Sequence, residues 1–325
     1  MCLLAFLSSR YYLSASALDE HKSTKTERRE KIKLAKMNIL VTGANGQLGS
    51  SIRKIAAKYP SCHFLFTDVP EVDITNMTLL EELVQTNNIQ AIINCAAYTA
   101  VDKAETDIEL AQKINVDGPR NLAATAKKAN IKLIHVSTDY VFNGDGNLPL
   151  KETDPTDPVG VYGKTKLEGE MAVKESGCDS LVIRTAWLYS EFGGNFVKTM
   201  LRLGKERKEL SVVYDQVGTP TYATDLAIAI LDLLQKDFSG YTLYHYSNEG
   251  VISWYDFAKT IFDLSAIQIK LNAIESNEYP TPAKRPAYSV LNKKKIKEAG
   301  IRVPYWRDSL IECLEILDSH PLTQI

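Results

Sequence analysis

Gly43, Gly46 and Gly49 recur at three-residue intervals where an apolar run, residues 38–42, gives way to a helical pattern over residues 47–58. A strand that turns directly into a helix through such glycines is compatible with few architectures. Without side chains the backbone can approach a pyrophosphate, and the helix amino terminus offers free N–H groups and a partial positive charge. The same spacing also suits a plain tight turn, so the rest of the chain must choose between the two.

Further apolar runs at 63–67, 91–96, 132–137 and 180–186 alternate with helical spacing at 76–87 and 107–130. Strands alternating with helices imply parallel βαβ units, and hence a Rossmann-type doubly wound α/β sheet. After about residue 192 the rhythm loosens into helices at 195–208, 223–235 and 254–264 and a strand near 210–214, and Pro280, Pro282 and Pro286 crowd a stretch that cannot be regular helix. Residues 37–191 are therefore expected to form the nucleotide-binding core. Residues 192–325 are expected to form mainly a smaller C-terminal substrate-binding lobe over the carboxyl edge of the sheet, with some segments returning to the core. A chain of 325 residues suits this division at roughly 100–200 residues per domain.

Composition removes several partners. Lys plus Arg number 38 against 40 Asp plus Glu, which leaves no electrostatic footprint for nucleic acid or an acidic membrane. No stretch approaches the ~18 apolar residues needed to span a bilayer. Cys2, Cys62, Cys95, Cys178 and Cys313 are odd in number and contain no Cys-x-x-Cys pair, which fits neither a disulfide framework nor a zinc site and points to a reducing, cytoplasmic setting.

Residues 1–36 belong to another regime, with a short apolar patch at 2–7 and a polar run rich in Lys and Arg. No positive charge precedes the patch, so it does not read as a signal peptide. The segment is expected to be a disordered or dispensable arm, or to lie upstream of a start at Met37. A targeting segment or a basic arm that binds a partner are the alternatives.

Chemistry-bearing residues follow the strands. Asp68 lies 25 residues after Gly43, close to the offset at which a carboxylate accepts hydrogen bonds from an adenosine ribose. It favours NAD, since a bare carboxylate repels the 2′-phosphate of NADP unless a loop residue offsets it. Asp73 and Ile74 stand where they could hold the adenine. Residues 94–99 end the third strand on the nicotinamide side, where small Ala96 and Ala97 permit close approach.

Tyr162 and Lys166, four apart, share one helix face. A phenol with an ordinary pKa of about 10 becomes a better proton donor near neutrality beside a cation, and Lys166 is that cation. Spacing alone is weak, because Tyr255 and Lys259 repeat it. What selects the first pair is Thr138, which brings a hydroxyl to the carboxyl edge at the end of the fourth strand.

On these residues the chain resembles the extended short-chain dehydrogenase/reductase superfamily and, within it, the dTDP-4-dehydrorhamnose reductases. The likeness runs through residues 37–320 and rests on segments 38–43 (NILVTG), 96–105 (AAYTAVDKAE), 137–142 (STDYVF), 161–170 (VYGKTKLEGE), 195–196 (NF), 215–216 (DQ) and 279–283 (YPTPA). It implies that Gly46, Gln47 and Leu48 contact the phosphates of NADPH or NADH. Asp68, Asp73, Ile74, Ala97, Tyr98 and Thr99 would line its two halves. The resemblance further implies substrate contacts from Thr138, Asp139 and Trp187, and a diphosphate held by Asn195 and Arg285. The resemblance also implies that some family members hold Mg2+ through glutamates at a dimer contact. Ser51 and Thr224 stand at two of those places here, so no metal ligand is expected, and the chain is read as a monomer or homodimer.

The expected reaction is reduction of the C4 keto group of dTDP-4-dehydro-L-rhamnose, with Tyr162 as proton donor, Lys166 as its cationic partner and Thr138 as hydrogen-bond donor to the carbonyl oxygen. An epimerase or dehydratase of the same fold is one alternative. Dehydration wants a second acid or base beside the triad, commonly an Asp-Glu pair, and Thr138 is followed by Asp139 and Tyr140. A non-catalytic dinucleotide-binding subunit is the other.

Overall fold

Six parallel strands form the central layer of the protein, whose computed structural model describes residues 36–319. The expectation for residues 1–36 lies outside the described residues, apart from Lys36. β1 (Met37–Thr42) turns into α1 (Gln47–Ile55), followed by β2 (Cys62–Phe66), α2 (Met77–Thr86) and β3 (Ala91–Asn94). Next come α3 (Gly118–Ala129), β4 (Lys132–Thr138), α4 (Val161–Ser176) and β5 (Ser180–Thr185). Beyond them lie α5 (Phe196–Glu206), β6 (Glu209–Val213), α6 (Ala223–Leu234), β7 (Tyr241–His245), α7 (Trp254–Leu264), β8 (Lys270–Ile274) and α8 (Trp306–Ser319).

The sheet runs β7-β5-β4-β3-β1-β2, so the order reverses between β1 and β3. The strands are nearly continuous apolar runs because both faces are covered. Ile39 and Val41 face one side with Ile93, Ile134 and Ile183, packed against Leu48 and Ile52 of α1. Leu40, Ile92, Leu133 and Val182 face the other, against Leu80, Leu122, Ala126 and Val173 of α2, α3 and α4. A third core, with Val197, Met200, Val212, Phe257, Ile261, Trp306 and Leu310, is built from residues that follow β5. There β6 pairs in parallel with β8.

Two features depart from the sequence pattern. The helix expected over 107–130 is interrupted: Ile108–Gln112 is α-helical, Lys113–Asp117 forms a π-helical turn, and α3 follows. Such turns occur often at functional sites, and this one presents Asn115 to the neighbouring loop. β7, the sixth strand, was not expected, since Tyr-Thr-Leu-Tyr-His carries no apolar run; it lies on the sheet edge, with only His245 fully buried. Apart from these, α6 packs on the sheet, its Leu226, Ile230 and Leu231 sharing a core with Leu48 and Ile52. Among the described residues no helix is long and apolar enough to cross a membrane.

Candidate active site

The carboxyl ends of β1, β3, β4 and β5 open onto one groove, at the switch point where open α/β sheets bind ligands. Its first section, about 430 Å³, is lined by Gly43, Gly46, Asp68, Asp73, Ile74, Ala96, Ala97 and Lys113, among others. Gly43 has φ +63°, and a Cβ there would stand 2.5 Å from the backbone nitrogen of Ala96. Only glycine permits that crossing. Asp68 accepts hydrogen bonds from the backbone N–H of Asn45 (2.8 Å) and Val69 (2.9 Å), which ties β2 to the glycine turn. Asp73 accepts from the Thr75 N–H and hydroxyl, and the backbone bond holds its carboxyl below the usual range. A narrow groove with backbone N–H groups at one helix start and carboxylates at its far end fits a dinucleotide.

The second section, about 540 Å³, shares Gly46, Cys95 and Ala97 with the first, so the two form one groove. Gln47, Leu48, Thr99, Thr138, Asp139, Tyr162, Lys166, Trp187 and Asn195 line it. Helix α4 brings Tyr162 and Lys166 there because it lies close on its neighbours: a Cβ at Gly163 would meet the Tyr140 carbonyl oxygen at 2.2 Å. Its first N–H, from Val161, donates to the Glu105 carboxylate at 2.9 Å. Asn115 then locks the adjoining loop, accepting from the Tyr98 N–H (2.9 Å) and donating to the Tyr98 carbonyl and the Thr165 hydroxyl (3.1 Å each).

The electrostatics differ from the sequence expectation. Lys166 is buried and donates to the Val136 carbonyl at 2.7 Å, and burial lowers its pKa to about 8 against the upward pull of Glu170. Burial pushes the Tyr162 phenol up to about 12; the Thr138 hydroxyl opposes the shift and Asp139 adds to it. The phenol is therefore not made acidic by its lysine, because desolvation of the phenolate dominates. Asp139, also buried, is pushed up to about 6 by desolvation and accepts the Thr138 hydroxyl at 2.9 Å. Thr138 in turn accepts from the Tyr140 N–H at 3.2 Å.

Trp187 carries φ +49°, an outlier for a bulky residue of the kind that concentrates at functional sites. Its ring stacks on Trp254 with centroids 3.6 Å apart, so a strained backbone holds an aromatic wall beside the groove.

Not every expected contact faces the groove with a free group. Asn195 and Gln47 line it, but they bind each other, Asn195 Nδ2 donating to Gln47 Oε1 at 2.9 Å. Asn195 Nδ2 also donates to the Ser190 carbonyl (2.7 Å), and its Oδ1 caps α5 by accepting from the Lys198 N–H (3.2 Å). The Asn195 side chain thus joins Gln47, at the start of α1, to the loop that follows Tyr189. The Tyr98 phenol donates to Asp107 at 2.9 Å, and Tyr98 lines neither section. Gly49 also lines neither section; a Cβ there would stand 2.5 Å from the Gly43 carbonyl oxygen, so it permits helix packing. Arg285 lines a third cavity, about 680 Å³, with Phe196, Met200, Arg207, Gln216, Trp254 and Tyr279.

Ser51 is buried and donates to the Gln47 carbonyl at 2.9 Å, and Thr224 is buried too. Neither offers the charged oxygen a hard cation wants, so these positions do not fit Mg2+. The described residues contain no group of three or more His, Cys, Asp or Glu placed to hold a metal. Sequence reasoning passed over Asn115, Glu105 and Lys113; a polar Asn inside an amphipathic pattern was the available signal for the first.

The model of the RmlD substrate binding domain matches residues 37–319. A dTDP-4-dehydrorhamnose reductase of Aggregatibacter actinomycetemcomitans is 44% identical over 283 residues, covering 84% of this chain and 96% of the relative. One from Escherichia coli (strain K12) is 42% identical over 287 residues, covering 83% and 95%. Among solved structures, a dTDP-4-dehydrorhamnose reductase of Clostridium acetobutylicum superposes with TM-score 0.83 at 46% identity, covering 87% of this chain and 100% of that one. The Bacillus anthracis dTDP-4-dehydrorhamnose reductase in complex with NADP gives 0.83 at 39%, covering 86% and 99%.

Proposed function

This chain belongs to the RmlD substrate-binding family, that of the dTDP-4-dehydrorhamnose reductases, and from that premise we propose how its residues carry out the family's reaction. The protein is an NAD(P)H-dependent oxidoreductase that reduces the C4 keto group of dTDP-4-dehydro-L-rhamnose to give dTDP-L-rhamnose, the closing step of dTDP-rhamnose formation. Bound NADPH or NADH supplies the hydride. The glycine turn with Gln47 and Leu48 would hold its phosphates, Asp68, Asp73 and Ile74 its adenosine half, and Ala97, Thr99, Tyr162 and Lys166 its nicotinamide half.

Tyr162 is the proton donor. A phenol near 12 is fully protonated at neutral pH, and an alkoxide is a stronger base than a phenolate, so transfer to the forming alkoxide runs downhill without an acidified tyrosine. Thr138, turned from Asp139 toward the sugar, would hydrogen-bond the oxygen as charge develops. Lys166, anchored on Val136, would orient the nicotinamide ribose. Trp187 and Asp139 would hold the sugar, and the third cavity with Arg285 would take the nucleotide diphosphate.

Residues 37–191 are read as the cofactor-binding unit and most of the remainder as the substrate unit. The enzyme is read as cytoplasmic, and as a monomer or homodimer. The observation that carries the reading is the meeting of Thr138, Tyr162 and Lys166 in a section continuous with the dinucleotide groove. Purified protein given dTDP-4-dehydro-L-rhamnose and NADPH or NADH should consume one reduced cofactor per dTDP-L-rhamnose formed. Conversion to a different sugar nucleotide without net cofactor oxidation would indicate an epimerase or dehydratase, and no turnover would leave a binding subunit.

A further inference from the structure

Asp102 and Arg285, 183 residues apart in the sequence, meet in a salt bridge. Asp102 lies in the first turn of the short helix Val101–Ala104, and Arg285 lies in the proline-rich C-terminal segment. The pair is bidentate: Nη1 donates to Oδ1 at 3.0 Å and Nη2 to Oδ2 at 2.7 Å. Nη1 also donates to the Ala283 carbonyl at 3.1 Å, and the Ala283 N–H donates back to Asp102 Oδ1 at 3.2 Å.

The donors left over decide what this clasp is for. A guanidinium has five N–H groups. Three are engaged, and Nε–H and the second Nη2 hydrogen have no hydrogen-bond acceptor among the described residues. Those two lie on the side of the guanidinium through which Arg184 grips Glu170, with Nε to Oε1 at 2.9 Å and Nη2 to Oε2 at 2.7 Å. Arg285 therefore gives its end fork to Asp102 and keeps a side fork open, in a residue that lines the third cavity. Two parallel donors match the paired oxygens of a phosphate.

We propose that Asp102 is a positioning residue, which fixes the Arg285 guanidinium so that its open side fork receives the diphosphate of the sugar nucleotide. This rests on the reading of the third cavity given above. Asp102 touches neither substrate nor cofactor and acts only through Arg285. The pair is partly exposed, with side-chain accessibilities of 42% and 26%, and such pairs contribute little to stability, so a variant will fold.

Calorimetric titration with dTDP, thymidine and NADPH tests the assignment on the full chain. Asp102→Asn should weaken dTDP binding about tenfold and leave thymidine and NADPH within about twofold, because only the phosphate contact depends on the fork. Arg285→Lys, which keeps the charge and loses the fork, should weaken dTDP to a similar extent. In steady-state assays Asp102→Asn should raise KM for the sugar nucleotide about tenfold with kcat within about twofold. Unchanged or tighter dTDP binding by Asp102→Asn would overturn the positioning role while leaving the proposed reaction standing. Equal weakening of dTDP and thymidine would make the clasp merely structural and overturn it as well. A wild-type chain that binds no dTDP would overturn both.

Discussion

Lys166 donates its ammonium hydrogen to the carbonyl of Val136 at 2.7 Å, two residues before Thr138 on the same strand. One bond thus fixes the lysine of α4 against the strand that carries the threonine. It also leaves a buried cation whose charge is easily lost. With the pKa lowered to about 8, kcat/KM should fall about tenfold per pH unit above that value, read from a pH–rate profile of the free enzyme.

The same lysine makes a stability prediction with a defined sign. Folding lowers its pKa from 10.5 to about 8, so between those values the unfolded chain binds the extra proton. Its contribution to stability is fully present above 10.5 and is lost as pH falls through 8. Urea unfolding should therefore show wild type gaining stability relative to Lys166→Met between pH 8 and 10.5. A constant difference would contradict the assignment.

Tyr162→Phe keeps the ring that meets Tyr140 edge-on at 5.4 Å and removes only the hydroxyl. Turnover should drop by about 10²- to 10⁴-fold, the usual range for a lost general acid. NADPH binding, followed by fluorescence titration, should survive. Near-normal NADPH oxidation would remove Tyr162 from the mechanism.

Arg184 and Glu170 form a buried bidentate pair that joins β5 to α4 one turn beyond Lys166, and the guanidinium lies 5.1 Å from the centre of the Phe142 ring. Breaking such a pair leaves an uncompensated buried charge, at a cost of about 3–5 kcal/mol. Glu170→Gln should lose roughly that much in denaturant unfolding. Replacing both partners with apolar residues of similar volume should restore most of it.

Asp68 and Lys113 line the same section of the groove with opposite charge. If the cofactor's adenosine lies there, Lys113→Ala should raise KM for NADPH about tenfold more than for NADH, since only the former carries a 2′-phosphate for the ammonium to hold. Asp68→Asn should move the ratio the other way. Parallel changes for both cofactors would place the adenosine elsewhere.

Much of this was legible along the chain. All five sheet strands that the apolar runs marked begin and end within two residues of their observed positions, because burial on both faces demands an unbroken apolar run. β7 escaped notice because it lies at the sheet edge and is mostly half-buried, so its sequence carries little of that signal. The π-helical turn at Lys113–Asp117 was hidden inside a pattern whose periodicity reads as ordinary helix.

The sequence by itself determined the glycine turn at Gly43, the order of the βαβ units and the placing of Thr138, Tyr162 and Lys166 at one edge. These follow from periodicity and short spacings, which act locally. Tertiary structure decided that Gln47 and Asn195 bind each other, that Asp102 holds Arg285, and that Tyr162 stays a weak acid beside its lysine. Those outcomes depend on which distant groups meet and on how much water they lose in meeting, and neither quantity is written in the spacing of residues.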